Sequence, residues 1–186
     1  MIYILTGIAK SGKTLLSNEI LDKYHISTFS TDYIMMMLAR GNNDLAIDID
    51  AEDSVVAEKI EPYLYAMIKT MIENNATYLI EGVHFNTSFS RKLLNEFEDK
   101  IQIIYLGYKE VSVEDKMQEV LKYKEVMNNP WLFNHLDQTL EEIISYMIGE
   151  SKRIYQECKS QNLIYIDVVD MNKQKEKIIN ILMSNT

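Results

Sequence analysis

Gly7-Ile8-Ala9-Lys10-Ser11-Gly12-Lys13-Thr14 decides how this chain is read. It fits the phosphate-binding pattern G-x-x-x-x-G-K-[ST], and its context is right. Ile2-Tyr3-Ile4-Leu5 before it is a short apolar stretch that reads as a buried strand. Leu15-Leu16-Ser17-Asn18-Glu19-Ile20-Leu21 after it has apolar residues at helical spacing. Strand, glycine loop and helix in that order are the arrangement in which this pattern cradles phosphate. Gly7 and Gly12 let the backbone take conformations that a side chain forbids. Successive N–H groups, from Ile8 and Ala9 through Lys10, Ser11 and on to Leu15, can then line a nest at the helix N-terminus. Lys13 is expected to reach the β- and γ-phosphates and the Thr14 hydroxyl to hold Mg²⁺.

Working outward, apolar runs alternate with helical patterns. Strands are expected at Ile2–Leu5, around His25–Ser30, at Thr77–Ile80, at Ile101–Leu106 and at Leu163–Asp167. Helices are expected at 12–23, 33–40, 53–74, 88–97, 112–123, 140–159 and 172–183, with Pro62 breaking the third or opening its second half. Nearly all-apolar strands alternating with helices imply a parallel sheet covered on both faces. No repeat, low-complexity run or linker divides the 186 residues, so a single domain is expected.

Composition narrows the function. The net charge is −9 and no Lys/Arg cluster occurs, which argues against a nucleic-acid backbone as partner. A small phosphorylated ligand needs only a local positive site. One cysteine, Cys158, excludes an internal disulfide and a cysteine-based zinc site, and reads as packing. No apolar run is long enough to span a membrane, and the chain opens on a strand rather than a basic and apolar leader. A cytoplasmic protein, monomeric or homodimeric, with no membrane partner is expected.

In an open parallel sheet ligands bind beyond the carboxyl ends of the strands. That rule gathers the glycine loop, Asp32, Glu81 with His84, and the segment after Gly107 on one rim. Asp32, just past a strand, is placed to take a proton from an attacking hydroxyl, although Thr31 or Asp32 can equally cap the next helix. Glu81 ends an apolar strand where a Mg²⁺-holding acid would stand, or it contacts the acceptor. His84 lies on the same rim. Arginine is scarce, with only Arg40, Arg91 and Arg153. Arg91 and Arg40 are candidates to clamp an anionic acceptor, and Arg153 to reach the nucleotide. Lys109, Lys116, Lys122 and Lys124 can supply further charge, or simply a solvated helix face. Trp131-Leu132-Phe133 reads as a loop anchor.

With these strings in place the chain resembles the P-loop small-molecule kinases. Glu81-Gly82-Val83-His84 is similar to the string in 2-phosphoglycerate kinase-like proteins. Ser30-Thr31-Asp32 resembles the segment of chloramphenicol phosphotransferase and the zeta-toxin kinases in which the Asp is the acceptor's base. The resemblance implies an α/β three-layer fold with a five-stranded parallel sheet in order 2-3-1-4-5 and a lid at about 108–135. It implies ATP with Mg²⁺ as donor, Lys13 and Thr14 on phosphates and metal, Asp32 as base, and Glu81 as the Walker B-like acid. The expected function is transfer of the ATP γ-phosphate to a hydroxyl of a small-molecule substrate. The chain departs from the resemblance in its lid, since Tyr108 to Asn134 contains no arginine. That departure keeps an alternative open, a nucleotide-binding switch or toxin-like protein acting through a protein partner.

Overall fold

The computed structural model describes residues 1–123 and 138–184. Five strands form one parallel sheet in the order β2-β3-β1-β4-β5, with helices on both faces. The strands are β1 Ile2–Gly7, β2 Ser27–Ser30, β3 Tyr78–Glu81, β4 Ile101–Gly107 and β5 Ile164–Asp167. The helices are α1 Lys13–Tyr24, α2 Thr31–Gly41, α3 Asp53–Glu73, α4 Thr87–Glu96, α5 Val113–Lys122, α6 Leu140–Ser160 and α7 Met171–Leu182.

Alternation along β1 explains the layering. Ile2 and Ile4 face the layer that holds α3 and α4, where Ile60, Leu64, Ile68, Phe89 and Leu93 are buried. Tyr3 and Leu5 face the other layer, made by α1 and α7 with Leu16, Ile20, Ile178 and Leu182. The two central strands β1 and β4 are buried along their whole length, as strands covered on both faces must be. A third cluster sits apart. It joins Ile8 of the glycine loop to Tyr108, Val120, Ile143, Ile144, Met147 and Ile148 of α5, α6 and the segment after β4.

Register sets the functional rim. Leu5 pairs with Glu81, Ser30 with Glu81, Gly7 with Leu106, and Gly107 with Asp167. The strand ends bearing the loop, Asp32, Glu81 and Tyr108 are therefore level with one another.

The expected boundaries hold to within about two residues, the strand expected around His25–Ser30 starting at Ser27; the exception is the reading of Pro62. Pro62 neither breaks nor opens a helix, and α3 runs through it without interruption. Proline removes one backbone donor, the one that would reach Glu58. Pro62 and Glu58 both lie on the exposed side of α3, so the vacant carbonyl is open to solvent. Ile60, Leu64, Ile68 and Ile72 are buried on the other side, at about 1.5–3 kcal/mol each, and outweigh the roughly 3 kcal/mol defect. The Trp131-Leu132-Phe133 anchor, Lys124 and most of the later half of the expected lid lie outside the described residues.

Candidate functional site

The glycine loop turns sharply out of β1. Gly7 has φ 110°, and a β-carbon there would overlap the Leu106 carbonyl of the neighbouring strand. Ile8 N–H donates to that same carbonyl at 3.0 Å, which fixes the exit from the sheet. Gly12 has φ 89°, and a side chain there would run into Met171. Lys10, between them, also takes a left-handed conformation with φ 57°. Gly12 occupies the N-cap of α1, and no side chain caps the helix. The N–H groups of the first turn are thus left for an anion, where the helix dipole favours one. The glycines form a cradle that any side chain would fill, and it fits a polyphosphate.

Lys13 is buried inside this cradle. Its ammonium donates to the Ile8 carbonyl at 2.6 Å and lies 3.4 Å from the Gly7 carbonyl and Ser11 Oγ. Burial pushes its pKa down to about 8, opposed by the carboxylates of Glu81, Asp53 and Asp32. Thr14 and Leu15 face solvent at the start of α1, with the Thr14 carbonyl accepting from Ser17 Oγ.

Across the rim, Ser30 caps α2, its hydroxyl accepting from Asp32 N–H at 3.3 Å. Capping therefore falls to Ser30, not to Thr31 or Asp32, and the Asp32 carboxylate is left out in solvent (64% exposed). Gly82, at φ 153°, presses against Thr31, and a β-carbon there would overlap the Thr31 hydroxyl. That close approach brings the buried His84 to Thr31, Nδ1 to Oγ1 at 2.8 Å, with Asp32 Oδ1 3.8 Å from the same nitrogen. Burial lowers the His84 pKa, against the raising influence of Asp32 and Asp53, so the ring is held neutral. Glu81 lies between Ser30 and Lys13. Burial raises its pKa, and Lys13 opposes the rise.

Asp32, Glu81, His84 and Lys13 thus come together as the rim rule requires. The arginines do not join them. Arg91 donates through Nε to the Gln161 carbonyl at 2.8 Å and through Nη2 to Asn162, at the foot of β5 on the opposite rim. Arg153 is paired along its own helix with Glu150 at 2.7 Å and with Glu157. Arg40 stands eight residues down α2 from Asp32, about 12 Å along the axis. In this structure Arg91 and Arg153 are thus engaged by other partners, and Arg40 stands down α2 from the rim.

Three further participants are not singled out as site residues by the sequence. Asp53 opens α3 beside Asn86, whose side chain donates to the Ser54 carbonyl at 3.3 Å. Its carboxyl is raised by burial, with His84 and Lys13 opposing and Asp32 and Glu150 adding to the rise. The other two, Tyr108 and Lys116, touch the glycine loop itself: Tyr108 OH donates to the Ala9 carbonyl and Lys116 Nζ to the Lys10 carbonyl, each at 2.9 Å. The Glu-Gly-x-His string carries a signal for Thr31, because a glycine there invites a neighbour into contact. Nothing in local pattern marks the others.

No family model matches the sequence, and no curated protein matches it. Among solved structures the fold is similar to a shikimate kinase from Acinetobacter baumannii in complex with shikimate. The TM-score is 0.59 at 17% identity, covering 100% of this chain and 94% of that one. A shikimate kinase from Bacteroides thetaiotaomicron gives a TM-score of 0.58 at 12% identity, covering 99% and 98%. A gluconokinase from Sinorhizobium meliloti 1021 gives 0.56 at 11% identity, covering 98% and 89%. At such identities the likeness is one of fold: this chain has the fold of small-molecule P-loop kinases.

Proposed function

We propose that this protein is an ATP-dependent kinase that moves the γ-phosphoryl group to a hydroxyl of a small molecule. One observation carries the reading: a buried Lys13 in a phosphate cradle faces, across one rim, a carboxylate at Asp32 that no helix cap or Lys or Arg ion pair among the described residues engages. Asp32 accepts the acceptor's hydroxyl proton as its oxygen bonds to phosphorus and the β–γ bridging bond breaks, leaving ADP. His84, neutral and fixed by Thr31, borders the base and limits where an acceptor oxygen can lie. Lys13 and the loop N–H groups hold the phosphate oxygens.

Mg²⁺ supplies charge neutralisation between phosphates. No group of three His, Cys, Asp or Glu among the described residues could hold a metal by itself. Thr14 and Glu81 would hold it jointly with phosphate oxygens, the arrangement expected of Mg²⁺ in phosphoryl-transfer sites. The acceptor side is rich in carboxylates, with Asp32 and Glu150 each within electrostatic reach of Asp53 and Arg153 already paired. A neutral or positively charged hydroxyl compound fits that side better than an anion. The Ser30-Thr31-Asp32 and Glu81-Gly82-Val83-His84 strings support kinship with the 2-phosphoglycerate kinase-like, chloramphenicol phosphotransferase and zeta-toxin group.

The test is ADP release from Mg·ATP against pooled hydroxyl-bearing metabolites. Asp32→Asn should lower stimulated turnover by about 10²–10⁴-fold while ATP affinity stays within about twofold. Lys13→Ala should abolish both. Unaltered turnover in Asp32→Asn would remove it as base. Wild-type protein that binds ATP yet answers to no pool would favour the nucleotide switch acting through a protein partner.

A further inference from the structure

Lys116 lies on α5, 106 residues from Lys10, and it is only 4% exposed. Its ammonium donates to the Lys10 carbonyl at 2.9 Å and to Glu119 Oε2 at 2.8 Å, and sits 4.1 Å above the Tyr108 ring. Tyr108, fully buried, donates its hydroxyl to the Ala9 carbonyl at 2.9 Å. Two consecutive carbonyls at the crown of the glycine loop are therefore gripped from outside by side chains of distant sequence.

A trans peptide is planar, with its C=O and N–H on opposite sides. Holding the Ala9 carbonyl outward turns the Lys10 N–H away from Tyr108, and holding the Lys10 carbonyl outward turns the Ser11 N–H away from Lys116. Both donors then face the interior of the loop, the side that phosphate oxygens approach. Neither glycine can do this alone, because glycine permits the conformation without enforcing it.

The grip is itself anchored. Tyr108 N–H donates to Ser151 Oγ at 2.8 Å, and that hydroxyl meets Tyr165 OH at 2.9 Å. Lys109 N–H donates to Asp167 Oδ1 at 2.7 Å. Ile8 is held in the same apolar cluster as Tyr108 and Val120. A buried ammonium is an expensive way to fill space, since a methionine of similar length packs without the ionic cost. Burial lowers the Lys116 pKa, and Glu119 opposes that.

We propose that Lys116, together with Tyr108, is a positioning residue for the nucleotide's phosphates, acting through the orientation of the loop's peptide groups. The proposal rests on the reading of the loop as a nucleotide site. Lys116 touches no phosphate and takes no part in the transfer.

Calorimetric titration of the full chain with Mg·ATP and, separately, with inorganic tripolyphosphate tests it, thermal melting being followed alongside. Lys116→Met should weaken both ligands by about tenfold, the loss of a charge-assisted hydrogen bond, while its melting temperature stays equal to wild type or rises. Tyr108→Phe keeps the ring, removes the hydroxyl and should weaken both ligands by about threefold. It also decides the matter if Lys116→Met fails to fold. Wild-type affinity for both ligands in the folded variants would overturn the proposal. So would weakened ATP binding with unchanged tripolyphosphate binding, which would move the effect to the base. Wild-type protein that binds neither ligand would instead defeat the nucleotide reading beneath it.

Discussion

The glycine loop and the acceptor rim share one end of one sheet, yet they are built on opposite plans. The loop presents backbone groups, and side chains from α5, α6 and the segment after β4 hold that backbone. The rim presents side chains instead, Asp32, Glu81, His84 and Asp53, contributed by three separate segments. A backbone site tolerates almost no change in its glycines and leaves a fixed trace in sequence. A side-chain site changes its preference by single substitutions and leaves hardly any. On the proposed kinase reading, any phosphate donor with the same polyphosphate suits the first plan, whereas the second is where acceptor choice would be made.

The sharpest way to break this contrast is Gly7→Ala. The substitution combines a φ of 110° with overlap of the Leu106 carbonyl, so a loss of about 3 kcal/mol or more in folding stability is expected, together with loss of ATP binding. Denaturant unfolding and ATP titration would measure both. A stable, ATP-binding Gly7→Ala would show that the loop is not backbone-limited.

Lys13→Met comes next, and its two effects have opposite signs. Lys13 has a folded pKa of about 8 against an ordinary 10.5. Its burial therefore costs stability fully below pH 8, and the cost fades as pH rises towards 10.5. At pH 7 the variant should be more stable by about 1–3 kcal/mol while losing ATP binding. The stability gap to wild type should close between pH 8 and 10.5, and wild-type ATP affinity should weaken as the ammonium is lost above about pH 8. A variant less stable than wild type at pH 7 would contradict the burial argument.

Arg91→Ala should do least. Its guanidinium serves the Gln161 and Asn162 carbonyls on the far rim, so a stability loss of about 1–2 kcal/mol with stimulated turnover within about twofold is expected. A collapse of turnover at full stability would return Arg91 to the site.

What was legible follows the same division. The strands announced themselves because burial on both faces leaves mostly apolar residues, as in Ile101-Gln102-Ile103-Ile104-Tyr105-Leu106, and the sheet order then places Asp32 and Glu81 on the loop's rim. Pro62 misled because propensity is local, while the four isoleucine and leucine residues buried along the uninterrupted α3 act through tertiary packing. Asp53 could be read only as a helix start, since nothing in its neighbours tells that α3 begins beside His84. Arg91 and Arg153 looked available because sequence does not show that a carbonyl pair or two glutamates already satisfy them. Lys116 was one of several lysines on an amphipathic helix until the fold laid it on Lys10.

The buried ammonium of Lys13 has a consequence for the protein's survival. On the proposed nucleotide reading its counter-ions arrive with the ligand, so the chain is least secure when the loop is bare. A nucleotide at a hundred times its dissociation constant adds about 2.7 kcal/mol to the folded state, and relief of the buried charge is part of how it does so. Proteases that attack transiently opened chains sample that equilibrium. The lifetime of this protein in a proteolytic environment should then track the supply of its ligand, making degradation rate an indirect gauge of occupancy.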